Sequence, residues 1–201
     1  LGWGIIDFIE GGLVVPLGRD AGQPLRLTEE QIEFFVRLYR IDPITGRRVV
    51  RRAQLRRAKG WGKSPLIAGL AVAELCGPVR FGGWDAQGEP IGVPEATPWV
   101  QIAATAEDQT DNTWTPLLSM LRDSPLVDRF DLDVGLTRIL RRGTPSKIEF
   151  VTAKAGTREG QPVTFAVLDE THLWDRSNGG ERLAATLRRN VAKTNGLSVE
   201  T

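Results

Sequence analysis

Gly60-Trp61-Gly62-Lys63-Ser64 is the segment of this sequence whose residue types and spacing point most directly to chemistry. Glycines allow backbone N–H groups to close around phosphate oxygens, and the start of a following helix favours negative charge. Lys63 is spaced to reach the β- and γ-phosphates of a nucleoside triphosphate, and Ser64 to ligate Mg²⁺. A strict phosphate loop has Gly five residues before Gly62; Arg57 stands there, so the match is a variant. The second candidate is Phe165-Ala166-Val167-Leu168-Asp169-Glu170, an apolar run ending in two carboxylates. At the C-terminal end of a buried strand, Asp169 can hold Mg²⁺ through water while Glu170 orients and polarises an attacking water. Taken alone, Gly-Lys-Ser is more often a surface turn before a helix, and Asp-Glu after a strand more often a helix cap with a solvated neighbour. Together they point to Mg²⁺-dependent ATP hydrolysis, because each predicts the structural context of the other.

These residues need elements to carry them. Arg48–Ala58 has the partly alternating pattern of a strand leading into the glycine loop, and Pro65 to about Leu75 reads as an apolar helix with its proline in the first turn. Upstream, Thr28-Glu29-Glu30-Gln31 is a helix start with Thr28 as cap, opening a helix to Tyr39. Leu1–Gln23 shows no clear periodicity. The Gly- and Pro-rich stretch Gly77–Pro98 reads as a surface loop or small hairpin. Trp99–Ala104 and Val163–Leu168 read as buried strands, Glu107–Leu121 and Gly179–Lys193 as helices. Thr137–Arg142 with Lys147–Thr152 reads as a hairpin, and Leu197–Thr201 as a last strand. Strands alternating with helices predict an α/β fold with a mostly parallel sheet. Two parts are expected: residues 1–45 packing on the core at the adenine side, and the core itself over residues 46–201.

The 201 residues carry 26 Lys+Arg against 25 Asp+Glu, a net charge of +1, with 41% hydrophobic residues, which excludes disorder as the main state. The near-neutrality hides an asymmetry. Eight basic residues fall between Arg47 and Lys63 with no acidic residue among them, leaving the rest of the chain at a net −7. Such a run is ordinarily a solvated face; here it ends in Gly-Lys-Ser, as expected of an anion site. Apolar runs fall short of a membrane span, and one cysteine with one histidine excludes an internal disulfide or a Cys/His zinc site and fits a reducing cytosolic compartment. The six tryptophans are scattered, so most are expected as core or interface anchors. A start at Leu1 and a stop inside a strand read as a piece of a longer protein.

Three stretches carry a family resemblance: Arg57-Ala58-Lys59-Gly60-Trp61-Gly62-Lys63-Ser64-Pro65-Leu66-Ile67-Ala68, then Ala103-Ala104-Thr105-Ala106-Glu107-Asp108-Gln109, then Gly156-Thr157-Arg158-Glu159-Gly160 leading to Val167-Leu168-Asp169-Glu170-Thr171-His172-Leu173-Trp174. In this order the sequence resembles, over residues 28–201, the ATPase domain of the large terminase subunit of tailed double-stranded DNA bacteriophages. The resemblance implies a P-loop NTPase fold of the additional-strand, catalytic-glutamate type, with helices flanking the sheet. It implies ATP and Mg²⁺ as cofactors, and double-stranded DNA, a portal protein and a small terminase subunit as partners. It also implies a homo-oligomeric ring on the procapsid, with the isolated domain monomeric or weakly associated, in the cytoplasm of the infected host and away from membranes.

Terminases commonly carry a basic residue at the position of Arg57, so the resemblance implies that its guanidinium senses or stabilises the γ-phosphate; otherwise it is a surface residue of a basic strand. Gln31 matches a glutamine that reads the adenine edge, with an exposed helix residue as the competing reading. Trp61, inside the loop, is placed over the nucleotide or against a neighbouring subunit. Arg158 matches an arginine that reaches into the neighbouring ATP site, with Arg138, Arg141 and Arg142 as competitors and a solvated loop residue as the alternative for each. His172 is expected to couple the site to a neighbouring element through a hydrogen bond. Ser198 and Thr201 are the polar candidates for the family's coupling motif. The family's nuclease domain is not within these residues, so no nuclease activity is expected. A helicase or restriction-type translocase shares Gly-x-Gly-Lys-Ser and Asp-Glu-x-His, and is the alternative. A DNA-binding module without hydrolysis is disfavoured by Lys63, Asp169 and Glu170 occurring together.

Overall fold

The computed structural model describes residues 1–105, 111–153 and 159–201. The first elements are α1 (Gly2–Gly12) and α2 (Glu29–Leu38), followed by β1 (Arg52–Gln54) and α3 (Lys63–Cys76). A hairpin of β2 (Arg80–Trp84) and β3 (Pro90–Val93) precedes β4 (Trp99–Ala104), α4 (Asp111–Leu121) and α5 (Pro125–Phe130). Then come β5 (Leu132–Val134), β6 (Arg138–Arg141), β7 (Lys147–Thr152) and β8 (Phe165–Leu168), and finally α6 (Gly180–Lys193) and β9 (Leu197–Glu200).

Seven strands form one sheet in the order β1-β9-β8-β4-β7-β6-β5, parallel from β1 to β7, with β6 and β5 antiparallel at the far edge. The order places β9 between the strand before the glycine loop and the strand before Asp169, which is the additional-strand arrangement. Central strands are covered on both faces, as their unbroken apolar sequences require. Phe165 and Val167 of β8 point into a core shared with α1, α2, α3 and α4, whereas Ala166 and Leu168 point the other way, to Ala184, Leu187 and Val191 of α6. Helix α3 is buried from Leu66 to Cys76 on every side, including Glu74, so it runs through the middle of the larger core.

Several expectations change in detail. The unperiodic N-terminal stretch contains α1, whose Ile5, Ile6 and Ile9 are buried with Leu13 just beyond its end. Its glycines conceal it: a Cβ at Gly2 would meet the Val36 backbone at 2.7 Å and one at Gly12 would meet Leu126 at 2.8 Å, so close packing has been chosen over helix propensity. The strand expected over Arg48–Ala58 shrinks to Arg52–Gln54, because Arg48 turns inward to Glu74 and Val49 lies in solvent. Gly77–Pro98 holds the β2–β3 hairpin, outside the main sheet. The first residues of the helix expected from Glu107 lie outside the described residues, and α4 is described from Asp111. Trp114 is buried, but Trp3 and Trp84 are exposed rather than core. No described helix is long and apolar enough to cross a membrane.

Candidate functional site

The glycine loop leaves β1 and enters α3 through two residues in the left-handed region, Gly60 at φ +88° and Gly62 at φ +93°. Gly62 is the N-cap of α3, and neither a capping side chain nor an acidic residue occupies that helix's first turn. The first N–H groups of α3 are therefore available to an anion, and the helix dipole adds to the attraction. Lys63 Nζ donates to the Arg57 carbonyl at 2.9 Å, spanning the loop from inside.

Opposite the loop, β8 delivers Asp169 and Glu170. Asp169 is 8% exposed and has both carboxylate oxygens bound: Thr113 Oγ1 donates to Oδ2 at 2.6 Å and Thr201 Oγ1 to Oδ1 at 2.6 Å. The same Thr201 hydroxyl accepts the Glu170 N–H at 2.9 Å, joining the two acidic residues through one oxygen. Trp174 Nε1 donates to the Asp169 carbonyl at 3.0 Å. Glu170 adopts φ +55°, ψ +47°, a left-handed conformation costing a non-glycine residue about 1–2 kcal/mol. The surrounding bonds maintain that strain, as at many sites where a side chain must be aimed.

A cavity of about 580 Å³ lies between the two halves, lined by Gly60, Gly62, Lys63 and Ser64 on one side and by Asn112, Asp169 and Glu170 on the other. Its donor set suits a magnesium nucleotide: open backbone amides and Lys63 for phosphates, the Ser64 hydroxyl and the Asp169 carboxylate for a cation. No group of three metal-binding side chains comes together among the described residues. A cation here would depend on one carboxylate, one hydroxyl and the phosphates it accompanies, the usual arrangement for Mg²⁺. A second cleft of about 510 Å³ shares Lys63 and Glu170 and extends past Arg56, His172 and Glu200. Buried Glu200 binds Arg52 at 2.7 Å and Arg188 at 2.9 Å, fixing the floor of that cleft.

The first turn of α2 closes over the loop. Gln31 completes the capping box, its Oε1 accepting the Thr28 N–H at 3.0 Å, while its Nε2 donates to the Trp61 carbonyl at 3.4 Å. Glu30 accepts from Trp61 Nε1 at 2.6 Å and from Arg57, whose guanidinium lies over the Trp61 ring. Hydrogen bonds from Trp61 and then from Arg57 lower the Glu30 carboxyl below its ordinary value. In this structure Arg57 and Trp61 thus bond to Glu30 and do not line the 580 Å³ cavity, while Arg57 also lines the adjoining cleft beside Lys63 and Glu170.

The structure brings Lys63, Ser64, Gly60, Gly62, Asp169 and Glu170 together and adds Gln31, Trp61 and Arg57 at the loop's outer side. Arg158 lies outside the described residues. Arg138, Arg141 and Arg142 lie at or just beyond β6, three strands from β8 and remote from this cavity. His172 is exposed on the turn Thr171–Leu173, and among the described residues no hydrogen bond to its side chain is seen. Of the two coupling candidates, Thr201 touches the acidic pair, whereas Ser198 is buried within β9. Glu30, Thr113 and Asn112 are site residues that sequence reasoning missed. For Glu30 a signal existed in its place beside Gln31; for Thr113 nothing local distinguishes it.

No family model matches the chain. It is 33% identical over 98% of its length to the Gene 13 protein of Mycobacterium phage L5, and 32% identical over 98% to that of Mycobacterium phage D29, covering 36% of each. It is 30% identical, over 83% of its length, to the terminase large subunit of Enterobacteria phage HK97, covering 30% of that protein. The chain is a homologue of the bacteriophage large terminases. The crystal structure of the HK97 large terminase has the same fold, with a TM-score of 0.72 at 24% identity, covering 99% of this chain and 37% of that one. This terminase homologue spans about a third of the length of the curated relatives it matches.

Proposed function

We propose that the chain is the ATP-hydrolysing motor part of a DNA-packaging terminase, driving double-stranded DNA into a procapsid. The observation carrying this reading is that the open-ended glycine loop with Lys63 and the Asp169–Glu170 pair face one cavity from strands separated by β9. The loop amides and Lys63 bind the phosphates, and Ser64 and Asp169 hold Mg²⁺. The cation, when bound, offsets charge developing on the transferred phosphoryl group. Glu170 orients water for in-line attack and takes up its proton. Gln31 exchanges its long bond to Trp61 for the adenine edge, and Arg57 leaves Glu30 for the γ-phosphate, whose charge competes with that carboxylate. Thr201 couples the acidic pair to the end of β9, and Arg158 acts on a neighbouring subunit's nucleotide.

The whole assembly of this reading is a ring on a portal protein, served by a small terminase subunit and DNA in the cytoplasm of the infected host. Homology to the large terminase subunit of phage HK97 favours a terminase over a helicase or restriction-type translocase. Glu170→Gln tests the assignment. Turnover should fall about 10²- to 10⁴-fold, the usual contribution of a positioned general base, while ATP binding persists. Unchanged turnover would refute hydrolysis at this site.

A further inference from the structure

Thr113 is an almost fully buried hydroxyl, 1% exposed, in the first turn of α4, and it reaches across to the acidic end of β8. Its hydroxyl donates to Asp169 Oδ2 at 2.6 Å, at the short end for an O–H···O bond. The other oxygen is bound by Thr201. Asp169 is consequently gripped by two hydroxyls from two different elements, and turning the carboxylate away from the cavity breaks both bonds. Each oxygen retains a second lone pair for a cation or its water. Helix α4 also packs along α3, whose first turn carries Ser64, so the same helix that touches the carboxylate braces the helix bearing the hydroxyl ligand.

We propose that Thr113 is a positioning residue for metal binding: its hydroxyl aims Asp169 at the cation and makes α4 part of the metal site. This rests on the magnesium-nucleotide reading of the cavity. Partners that orient a metal ligand typically contribute 10- to 100-fold to metal affinity or activity. The proposal assigns Thr113 no contact with substrate.

The test measures binding rather than turnover. A non-hydrolysable ATP analogue is titrated into wild type, Thr113→Val, Thr113→Ala and Thr113→Ser, with EDTA and across a Mg²⁺ series, and Mn²⁺ binding is followed directly by its paramagnetic signal. Valine and alanine should raise the metal midpoint about tenfold or more while leaving metal-free nucleotide affinity within about twofold, and serine should restore the wild-type midpoint. Alanine removes the donor without placing a methyl against the carboxylate, so it reports even where valine impairs folding. If alanine, or a folded valine variant, keeps the wild-type midpoint, or serine fails to rescue, Thr113 is not a positioning residue. If wild type itself shows no metal-dependent nucleotide binding, the reading of the cavity fails first, and the two failures are distinct.

Discussion

Glu74→Gln removes a single charge from the most enclosed ion pair described in the protein. Glu74 has no exposure, and its Oε1 accepts from Arg48 Nη2 at 3.0 Å and from the Tyr39 hydroxyl at 2.5 Å. The Arg48 side chain is 4% exposed and also donates to the Val79 carbonyl at 2.9 Å. Its Nε and Nη1 find no acceptor among the described residues, so the Glu74 charge is its principal compensation. Burial, and then the Glu74 charge, push the Tyr39 phenol well above its ordinary range, keeping it a donor. Glutamine preserves shape and an acceptor for Tyr39 but strands the guanidinium. Breaking one side of a buried pair costs about 3–5 kcal/mol, and at these exposures solvent screening gives little relief. For a chain of this length each kcal/mol moves Tm by about 2–4 °C, so a fall of about 6–20 °C is expected in calorimetry and circular dichroism. Replacing Arg48 and Glu74 together by methionine removes both charges and should recover part of the loss, the Tyr39 hydroxyl being left without its acceptor. Glu74 lies about 16 Å along α3 from Lys63, so nucleotide affinity of the folded variant should stay within about threefold. A Glu74→Gln variant within about 1 kcal/mol of wild type, or a double variant no better than the single, would refute the reasoning.

Thr201→Val deletes the oxygen shared by Asp169 and the Glu170 N–H; the hydrolysis rate should fall about tenfold or more with metal-free nucleotide affinity nearly intact, and an unchanged single-turnover rate contradicts the coupling role. Gly62→Ala combines a left-handed backbone with a Cβ 3.2 Å from Gln31 Nε2, whereas a Cβ at Gly60 meets nothing within 4 Å among the described residues. Calorimetry should therefore show a larger loss of nucleotide affinity for Gly62→Ala than for Gly60→Ala, and equal losses would count against the contact. Burial pushes the Cys76 thiol up to about 12 from 9.0, so native protein should resist thiol reagents at pH 8. Because the folded value is the higher one, this group's contribution to stability is whole below about pH 9 and is lost as pH rises toward 12. Urea melts at pH 8 and 10 with native-state labelling check this, and rapid labelling at pH 8 would overturn it.

The parts of the fold legible in the sequence were those whose cause is local. The Thr28–Gln31 capping box, the unbroken apolar β8 and the glycine loop before α3 each carry their reason within a few residues. Helix α1 was hidden because its glycines answer to Val36 and Leu126, neighbours remote in sequence. Strand β1 was overread because the basic residues that lengthen its alternating pattern serve separate tasks: Arg48 goes to the core, Arg52 to Glu200, Arg57 to Glu30. At the site, the loop and the acidic pair could be read directly. Thr113 could not, because only the packing of α4 brings its hydroxyl to Asp169.

Strand β9 has a consequence in clearance. Neighbouring strands lie about 4.8 Å apart, so one intervening strand sets β1 and β8 roughly 10 Å from each other. Every residue of β9 is buried, and it is hydrogen-bonded on both edges, to β1 and to β8. It acts as a gauge block: sliding it breaks two ladders at once, so the sheet cannot open or close the gap. If the proposed ATP hydrolysis drives movement, the stroke has to come from the turns beyond the strands, with the sheet as the fixed jaw.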